Sequence, residues 1–357
     1  MLYNKGEKMA RIIMQPSGKS VDCAYGDTVL MALEKAGYAL PNNCRAGACG
    51  ECKVKVTTGQ FDQGMVLDMA LSQDERKQGY GLMCMAKPIS EELVIEWGTL
   101  DAKPKLFPPR EDALFVVTDK RQIAARVVEL RMRPVGQPVR YWPGQYVTIG
   151  NPRAEVPARA YSISNAPRPD GELVLQVARA EGGVTSNWIH DALNIGENVK
   201  VSGAYGTFIG DPSVDTPVLC LAAGTGLAPV LALAEAALRR GFKKPVTMLF
   251  SARTREDIYS QGMMAWWRTK HRNFDYKVTL TREQAEGYLA GRIDVVLPQL
   301  FKDLSKHTIF VAGSPEFVET CVAAAKAQGA QDELIHTEGF FAQQTPVVAD
   351  ADHLLPG

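Results

Sequence analysis

The stretch Pro41-Asn42-Asn43-Cys44-Arg45-Ala46-Gly47-Ala48-Cys49-Gly50-Glu51-Cys52 decides how the first part of the chain folds. Its three thiols follow a C-x4-C-x2-C spacing, and a fourth thiol comes later, in Leu82-Met83-Cys84. The residues between these cysteines are mostly small. Such a backbone can wrap closely around a bound group and direct its N–H groups at sulfur. We therefore expect the four thiols to share one site.

This spacing is the plant-type pattern in which four thiolates hold two irons, so it predicts a [2Fe–2S] cluster. The predicted ligands are Cys44, Cys49, Cys52 and Cys84. A zinc site usually contains two C-x2-C pairs, and this chain shows only one. Disulfides require an export context, and no signal peptide is visible. Zinc binding, as in a metal-binding interaction module, and free thiols remain the alternatives.

Length and charge restrict the possible function classes. At 357 residues the chain is too long for one ordinary core, so we expect two or three domains. Its 40 basic and 40 acidic residues balance, so nothing favours nucleic acid or an anionic membrane as a partner. No apolar run approaches the ~18 residues that span a bilayer. Seven cysteines without an export signal predict a cytoplasmic location.

Residues 9–100 are predicted to form one α+β unit around the cysteine loop. The predicted elements are strands at Arg11–Gln15 and Ser20–Ala24, a helix at Thr28–Ala36 with Asp27 as its N-cap, and strands at Lys53–Thr57 and Leu93–Trp97. A capping box from Ser72 to Glu75 predicts a further short helix. This order, with the last cysteine late, resembles the β-grasp fold of plant-type ferredoxins.

Residues 101–110 contain three prolines and three basic side chains, which predicts an extended, semi-stiff linker. Residues 111–212 then alternate like antiparallel β structure, and about six short strands with one helix predict a closed barrel. The predicted strands are Ile123–Met132, Gln145–Ile149, Arg159–Ser164, Glu172–Ala178 and Asn198–Ser202.

Two stretches of this segment carry residues suited to a dinucleotide. Arg159-Ala160-Tyr161-Ser162 places a cation, an aromatic ring and a hydroxyl on one strand. Gly182-Gly183-Val184-Thr185 is a glycine turn that opens a helix, whose N–H groups and dipole suit a pyrophosphate. Each stretch alone is more often plain sheet or a plain turn.

Together with Gly203-Ala204-Tyr205-Gly206, these stretches resemble the R-x-Y-S, G-G-x-x-S/T and G-P-Y-G motifs of the ferredoxin–NADP reductase superfamily, with alanine in place of the proline. The resemblance implies an FAD-binding barrel. It implies that Arg159 faces the flavin pyrophosphate, that Tyr161 lies against the isoalloxazine, and that Ser162 forms a hydrogen bond near its N5. The implied phosphate contacts are Gly183, Val184 and Thr185.

Residues 213–341 switch to βαβ alternation, which predicts a doubly wound parallel sheet. The apolar run Pro217–Ala223 predicts a buried strand, and Gly224-Thr225-Gly226 connects it to a helix. This is not the full G-x-G-x-x-G fingerprint, because Pro229 takes the place of the third glycine. A strand, a tight turn and a helix N-terminus still bring backbone N–H groups to a pyrophosphate.

In the same superfamily this loop is the nicotinamide-dinucleotide site, so the resemblance implies contacts from Gly224, Thr225 and Gly226. It also implies that Arg253 and Tyr259 lie near the adenosine half. Gly313 is implied to lie beside the nicotinamide, where Ala312 replaces the cysteine of the family. Glu338-Gly339-Phe340-Phe341 matches the terminal stretch close to the flavin, and Phe340 is a predicted cofactor contact. Residues 342–357 extend past the pattern as a C-terminal tail.

A cluster unit, a flavin unit and a nicotinamide unit in this order resemble the reductase components of bacterial multicomponent oxygenases. The resemblance implies an enzyme that passes electrons from NADH through FAD and the [2Fe–2S] cluster to a terminal oxygenase or an intermediate ferredoxin. Ser162 and Glu338 are the predicted catalytic residues, which tune the contact between nicotinamide and flavin. NADH is expected rather than NADPH, although Arg253 and Arg255 are able to hold a 2′-phosphate.

Two further functions stay open at this point. The first keeps the reductase but gives it a diiron monooxygenase as its partner instead of a Rieske-type dioxygenase. The second is a non-enzymatic electron carrier or redox sensor, in which the dinucleotide unit only binds its ligand. Nothing in the sequence demands an oligomer, so we expect a monomer.

Overall fold

Three β-sheets follow one another along the chain. The structure, a computed structural model, describes residues 9–211 and 213–340. Among these residues no helix is both long enough and apolar enough to cross a membrane. The domain limits inferred from the sequence stay predictions, and the three units below are defined by their strands and helices.

The cluster unit contains a five-stranded mixed sheet and one main helix. Its elements are β1 (Ala10–Gln15), β2 (Lys19–Cys23), α1 (Val29–Lys35), β3 (Lys53–Thr58), β4 (Phe61–Asp62), α2 (Gln73–Lys77), β5 (Tyr80–Leu82), β6 (Lys87–Pro88) and β7 (Glu92–Glu96). The sheet order is β2-β1-β7-β3-β5, and β1 and β7 are its parallel pair. Leu30 and Leu33 of α1 share a core with Ile12 and Leu93 of the sheet. This arrangement confirms the predicted β-grasp fold.

Helix α1 begins one residue later than predicted, and its N-cap is Thr28 rather than Asp27. The Thr28 hydroxyl accepts a hydrogen bond from the Met31 N–H at 3.3 Å. The predicted cap is wrong because the Asp27 carboxylate pairs instead with Lys35 Nζ at 2.7 Å. The capping box predicted for α2 from Ser72 to Glu75 is confirmed.

The segment between the first two sheets is bound to both of them. The N–H groups of Lys105 and Leu106 donate to Gly37 O at 2.8 and 2.9 Å. A Cβ on Gly37 would lie 2.8 Å from Leu106 O, so this close approach requires glycine. On the other side, Trp142 Nε1 donates to Lys105 O at 2.8 Å. The predicted linker is therefore held at Gly37 and at Trp142.

The barrel unit is a six-stranded antiparallel sheet with one helix. Its elements are β8 (Arg110–Ala124), β9 (Val127–Pro134), β10 (Tyr146–Asn151), β11 (Val156–Ser162), β12 (Leu173–Ala178), α3 (Val184–Asp191) and β13 (Asn198–Tyr205). The strand order is β11-β10-β13-β8-β9-β12. A bridge between Ile163 and Leu175 joins the two ends of this order, and Ser164 N donates to Val174 O at 2.8 Å. The sheet thus closes on itself, as predicted.

The predicted strand Ile123–Met132 is wrong, because a hairpin turn interrupts it. β8 ends at Ala124 and β9 begins at Val127, with a turn at Ala125-Arg126 between them. This turn contains none of the residues, such as glycine, proline or asparagine, that mark a turn in a sequence. Most of β8 has no counterpart among the predicted strands, although residues 113–118 alternate between buried and less buried positions, with charged residues on either side.

The parallel-sheet unit alternates strands and helices. Its elements are β14 (Val218–Ala223), α4 (Leu227–Arg239), β15 (Val246–Ala252), α5 (Gln261–Lys270), β16 (Phe274–Leu280), β17 (Leu289–Ala290), α6 (Ile293–Leu300), β18 (Thr308–Gly313), α7 (Pro315–Ala327) and β19 (Ile335–Gly339). All neighbouring strands are parallel, in the order β17-β16-β15-β14-β18-β19. The order changes direction between β14 and β18. Ligands of such sheets bind at the carboxyl ends of the strands where the direction changes.

Helices cover both faces of this sheet. One core contains Leu231 of α4 and Met264 of α5, and a second core contains Leu297 of α6 and Cys321 of α7. The first core also includes Phe208, which follows the last barrel strand, so the barrel unit and the parallel-sheet unit pack against each other. The predicted doubly wound sheet is confirmed.

Candidate functional site

The four predicted ligand cysteines come together as two pairs of thiols. The Cys44 and Cys49 thiols interact with each other, and so do the Cys52 and Cys84 thiols. Within the described ranges, no group of three or more His, Cys, Asp or Glu side chains is arranged to hold a metal ion. A [2Fe–2S] cluster differs from a single ion, because each of its irons takes two of the four thiolates. Two adjacent thiol pairs therefore fit the cluster better than they fit zinc.

Backbone N–H groups surround the sulfur of Cys44. The N–H groups of Ala46, Ala48 and Cys49 donate to its Sγ at 3.4, 3.4 and 3.3 Å. A hydrogen bond from the Cys49 thiol and these N–H groups lower the pKa of Cys44 to about 5, against the effect of burial. These N–H groups thus favour the thiolate of Cys44, the form that binds iron, whereas the hydrogen bond with the partner thiol and burial raise the pKa of Cys49 and of Cys52.

Glycine is required inside this loop. Gly47 has a φ of 70°, and a Cβ there would lie 2.8 Å from Met65 O and 2.9 Å from Val66 Cγ1. Leu67 N donates to Gly47 O at 3.0 Å, so the segment around residue 66 packs directly on the cysteine loop. The backbone of the cysteine loop is therefore constrained by contacts with residues 65–67 as well as by its own small residues.

The predicted flavin residues lie on β11 and at the start of α3, which are adjacent. The Thr185 hydroxyl donates to Pro157 O at 2.6 Å and ties the N-terminus of α3 to β11. The N-cap residue Gly183 leaves the first N–H groups of the helix without a side-chain cap. Arg159, two residues after Pro157, is half-buried on the same strand. A guanidinium beside a helix N-terminus suits a pyrophosphate.

Tyr161 and Ser162 end the same strand, at the side of the barrel that faces the cluster unit. Burial raises the pKa of the Tyr161 phenol, and the nearby charge of Arg159 opposes that rise. Ser162 lies opposite Tyr146 on β10. The Tyr146 hydroxyl is buried, and the nearby cation is the Arg45 guanidinium of the cysteine loop. No motif or spacing around Tyr146 predicts a role in a site.

The two predicted nicotinamide loops meet at the change of strand direction. Gly226 ends the turn after β14, and a Cβ there would lie 2.1 Å from Ala312 O and 2.8 Å from Gly313 N, at the end of β18. A Cβ on Gly224 would meet nothing within 4 Å, so this part of the loop, which continues through Thr225, is open. Backbone N–H groups at this edge suit a dinucleotide pyrophosphate.

The two residues predicted near the adenosine differ in position. Arg253 follows the carboxyl end of β15 and is exposed. Tyr259 is buried in the core, and its hydroxyl donates to Gly224 O at 2.7 Å. Tyr259 therefore supports the glycine turn through this hydrogen bond, and its place near the adenosine half stays a prediction.

Glu338 lies on β19 and is buried between units. Burial raises the pKa of its carboxyl to about 8, and the negative charge of Glu51 in the cysteine loop adds to the rise. At neutral pH this carboxyl is therefore protonated and able to donate a hydrogen bond. Phe340 follows, and its N–H donates to Gly313 O at 2.7 Å, which connects this strand end to the nicotinamide loop. The predicted residue Phe341 lies outside the described residues.

Three family models match the chain in succession. The 2Fe-2S iron-sulfur cluster binding domain matches residues 12–88, the oxidoreductase FAD-binding domain matches 115–209, and the oxidoreductase NAD-binding domain matches 220–323. The predicted cofactor set is thereby confirmed. The individual roles predicted for the flavin and nicotinamide residues stay predictions.

Several curated proteins and solved structures resemble almost the whole chain. The reductase subunit of an aromatic O-demethylase from Amycolatopsis sp. is 32% identical over 90% of this chain and 96% of its own length. The reductase component of a phenol 2-monooxygenase from Pseudomonas sp. is 32% identical over 92% of this chain and 94% of its own. The crystal structure of the Amycolatopsis reductase GcoB superposes with a TM-score of 0.84 at 30% identity, covering 93% of this chain and 98% of that one. This chain therefore belongs to the family of iron–sulfur flavoprotein reductase components of aromatic oxygenase systems.

Proposed function

We propose that this protein oxidises NADH and delivers electrons one at a time, through FAD and its [2Fe–2S] cluster, to the terminal oxygenase of an aromatic compound. The observation that carries the proposal is the meeting of the three predicted cofactor sites. The cysteine loop contributes Arg45 and Glu51, which lie beside Tyr205 of the barrel unit and Glu338 of the parallel-sheet unit. The cysteine loop thus approaches both of the other units.

The residues of this chain supply binding, orientation and one held proton. A flavin accepts two electrons as a hydride and releases them singly, which links a nicotinamide to a one-electron cluster. The turn at Gly224 and the loop at Gly313 bind the nicotinamide dinucleotide through backbone N–H groups, while Arg159 and the N-terminus of α3 bind the flavin phosphates. Ser162 and Glu338 orient the reacting rings. Glu338 keeps its proton on the carboxyl at neutral pH and places no negative charge where hydride arrives.

The choice of NADH over NADPH is supported by one ion pair. Arg255 Nε contacts Glu283 Oε1 at 2.9 Å, and the same oxygen accepts from Arg255 N at 3.0 Å. Arg255 is therefore paired through its Nε and its backbone N–H, and the Glu283 carboxylate beside it repels a 2′-phosphate. The kcat/KM ratio of NADH to NADPH tests the proposal, and a ratio below one contradicts it.

The acceptor is proposed to be a protein that covers the segment packed on the cysteine loop. Met65, Leu67 and Met69 of that segment expose 85%, 50% and 88% of their surface. Adjacent apolar side chains with such exposure are typical of a protein contact. The relatives named above serve an aromatic O-demethylase and a phenol 2-monooxygenase, which supports an aromatic substrate for the partner.

The deciding experiment is reconstitution with purified oxygenases of three kinds. Product formation is measured with a phenol hydroxylase, an aromatic O-demethylase and a Rieske-type dioxygenase, each with and without an added ferredoxin. Coupled NADH consumption with one of them supports the proposal and identifies the iron centre of the partner. NADH-dependent bleaching of the flavin without reduction of the cluster would contradict it.

We further propose a cytoplasmic monomer. The seven cysteines all lie in the described residues and none of them forms a disulfide, which suits a reducing compartment. One chain supplies residues to all three predicted cofactor sites, so a second copy is not needed to complete them. Light scattering of the holoenzyme that gives a dimer mass would contradict the monomer.

A further inference from the structure

Arg45 projects from the cysteine loop onto the barrel unit. Its guanidinium carbon lies 4.5 Å from the ring centroid of Tyr205, the last residue of β13. The Tyr205 hydroxyl donates to Glu111 Oε1 at 3.0 Å, which fixes the ring from its far side. Tyr205 also packs beside Tyr146, with 5.9 Å between the ring centroids. A residue between two cluster ligands thus reaches a pair of barrel tyrosines.

A buried carboxylate holds Arg45 in this position. Arg45 Nη1 contacts Glu34 Oε1 at 2.5 Å, and the two side chains are 24% and 3% exposed. Glu34 belongs to α1 of the cluster unit. The guanidinium is therefore anchored within its own unit and presents its face to the barrel unit. Arg has a planar, weakly hydrated head group that can pair with a carboxylate and lie on an aromatic ring at once. Lysine cannot do both with the same geometry.

Two buried oxygens next to this contact lack partners. Glu34 Oε2 and the Tyr146 hydroxyl are both buried without a hydrogen bond among the described residues. The positive charge of Arg45 lies close to each of them. Removal of Arg45 would therefore leave the buried Glu34 carboxylate without a compensating charge. It would also remove the cation that packs on Tyr205 beside Tyr146. Arg45 is therefore one of the side chains that stabilise the contact between the units.

We propose that Arg45 is a positioning residue that docks the cysteine loop on the barrel and thereby sets the rate of electron transfer from flavin to cluster. The inference rests on the proposed function, because only then does an electron cross this boundary. The step moves one electron from the flavin, reduced by NADH, to the oxidised cluster, and no bond forms or breaks. Contacts between domains of one chain are commonly mobile unless a specific interaction fixes them.

The test compares Arg45→Gln and Tyr205→Leu with the wild-type holoenzyme. Anaerobic stopped-flow mixing with NADH follows the flavin and cluster absorbance bands separately. In both variants we expect cluster reduction, divided by the rate of flavin reduction in the same variant, to slow by about tenfold, which corresponds to ~1.4 kcal/mol. Hydrogen–deuterium exchange supplies a second readout, with faster exchange expected in residues 203–206.

Two controls separate docking from general damage. Arg76→Gln removes another arginine of the cluster unit, which pairs with Asp68 at 2.7 Å on the surface, and should change neither rate. Tyr205→Phe keeps the aromatic ring and loses only the hydroxyl, so cluster reduction should stay closer to wild type than in Tyr205→Leu. Arg45→Lys should recover part of the rate, since it keeps the charge.

The outcomes decide between alternatives. If Arg45→Gln loses its cluster because Glu34 is left unpaired, Tyr205→Leu still decides, since it leaves the Arg45–Glu34 pair intact. Cluster reduction within about twofold of wild type in Tyr205→Leu, with unchanged exchange at residues 203–206, would overturn the inference. Failure of NADH to reduce the wild-type flavin would instead refute the proposed function, and the exchange measurement would then still report on docking.

Discussion

Replacing Glu338 by glutamine should change how the stability of the protein depends on pH. The carboxyl is buried, and its pKa rises from an ordinary value of 4.5 to about 8. Between these two values the unfolded chain is ionised at this position while the folded chain is protonated. The folded state therefore binds more protons, and stability falls as the pH rises through this window. Glutamine does not titrate, so the variant should escape this loss.

The size of the effect follows from the pKa difference. Each pKa unit corresponds to ~1.36 kcal/mol, so the full window costs the wild-type protein about 3–5 kcal/mol. Relative to wild type, Glu338→Gln should gain less than about 1 kcal/mol at pH 5 and reach its full advantage above pH 8. For a unit of this size the gain is on the order of 10 °C in melting temperature.

Melting temperatures of both holoenzymes at pH 5, 6.5, 8 and 9 measure the difference. Glu333→Gln is the matched control, because Glu333 is exposed just before β19 and its replacement should change the melting temperature little. A Glu51→Gln variant should narrow the pH range over which the wild-type protein loses stability, since Glu51 contributes to the raised pKa of Glu338. The reasoning fails if the advantage of Glu338→Gln is the same at pH 5 and pH 9.

Three further predictions concern the cofactor sites. Cys84→Ser should remove the visible cluster bands while NADH still bleaches the flavin, because its thiol belongs to the cluster alone; loss of both signals would contradict separate units. Gly226→Ala places a Cβ 2.1 Å from Ala312 O and should therefore raise the Kd for NADH about tenfold or more. Gly241→Ala is the control, because a Cβ at this position, after the end of α4, has nothing within 4 Å. It should cost only about 1 kcal/mol of stability. Glu283→Gln should raise kcat/KM for NADPH at least threefold by removing one repelling charge, and an unchanged NADH to NADPH ratio would show that Glu283 does not face the ribose.

Local sequence patterns predict a structural element correctly where a few residue types in one short stretch determine it. The cysteine spacing, the capping box at Ser72 and the apolar run into Gly224 each appear in the structure where they were expected. The hairpin turn at Ala125-Arg126 was missed because its residues carry no turn preference. The N-cap at Thr28 was misassigned because Asp27 and Thr28 are both good caps, and only the position of Lys35 decides between them.

Contacts between units were beyond the reach of sequence patterns. Arg45 looks like one charged residue in a small-residue loop, and its role depends on Glu34 and on Tyr205, which is distant in the chain. The raised pKa of Glu338 depends on burial and on Glu51, neither of which a motif records. Such residues become visible only when tertiary packing brings the units together.

The attachment of the segment around Lys105 has a consequence for how the protein meets its acceptor. Because that segment is bonded to Gly37 in one unit and to Trp142 in the next, the iron–sulfur end is not carried on a loose tether. A swinging arm would deliver electrons by travelling to the oxygenase. In this protein the cluster unit stays in place, so the oxygenase has to bind to it there. Turnover should therefore depend on the concentration of the encounter complex. It should not improve when glycine and serine residues lengthen the segment between the cluster unit and the barrel unit.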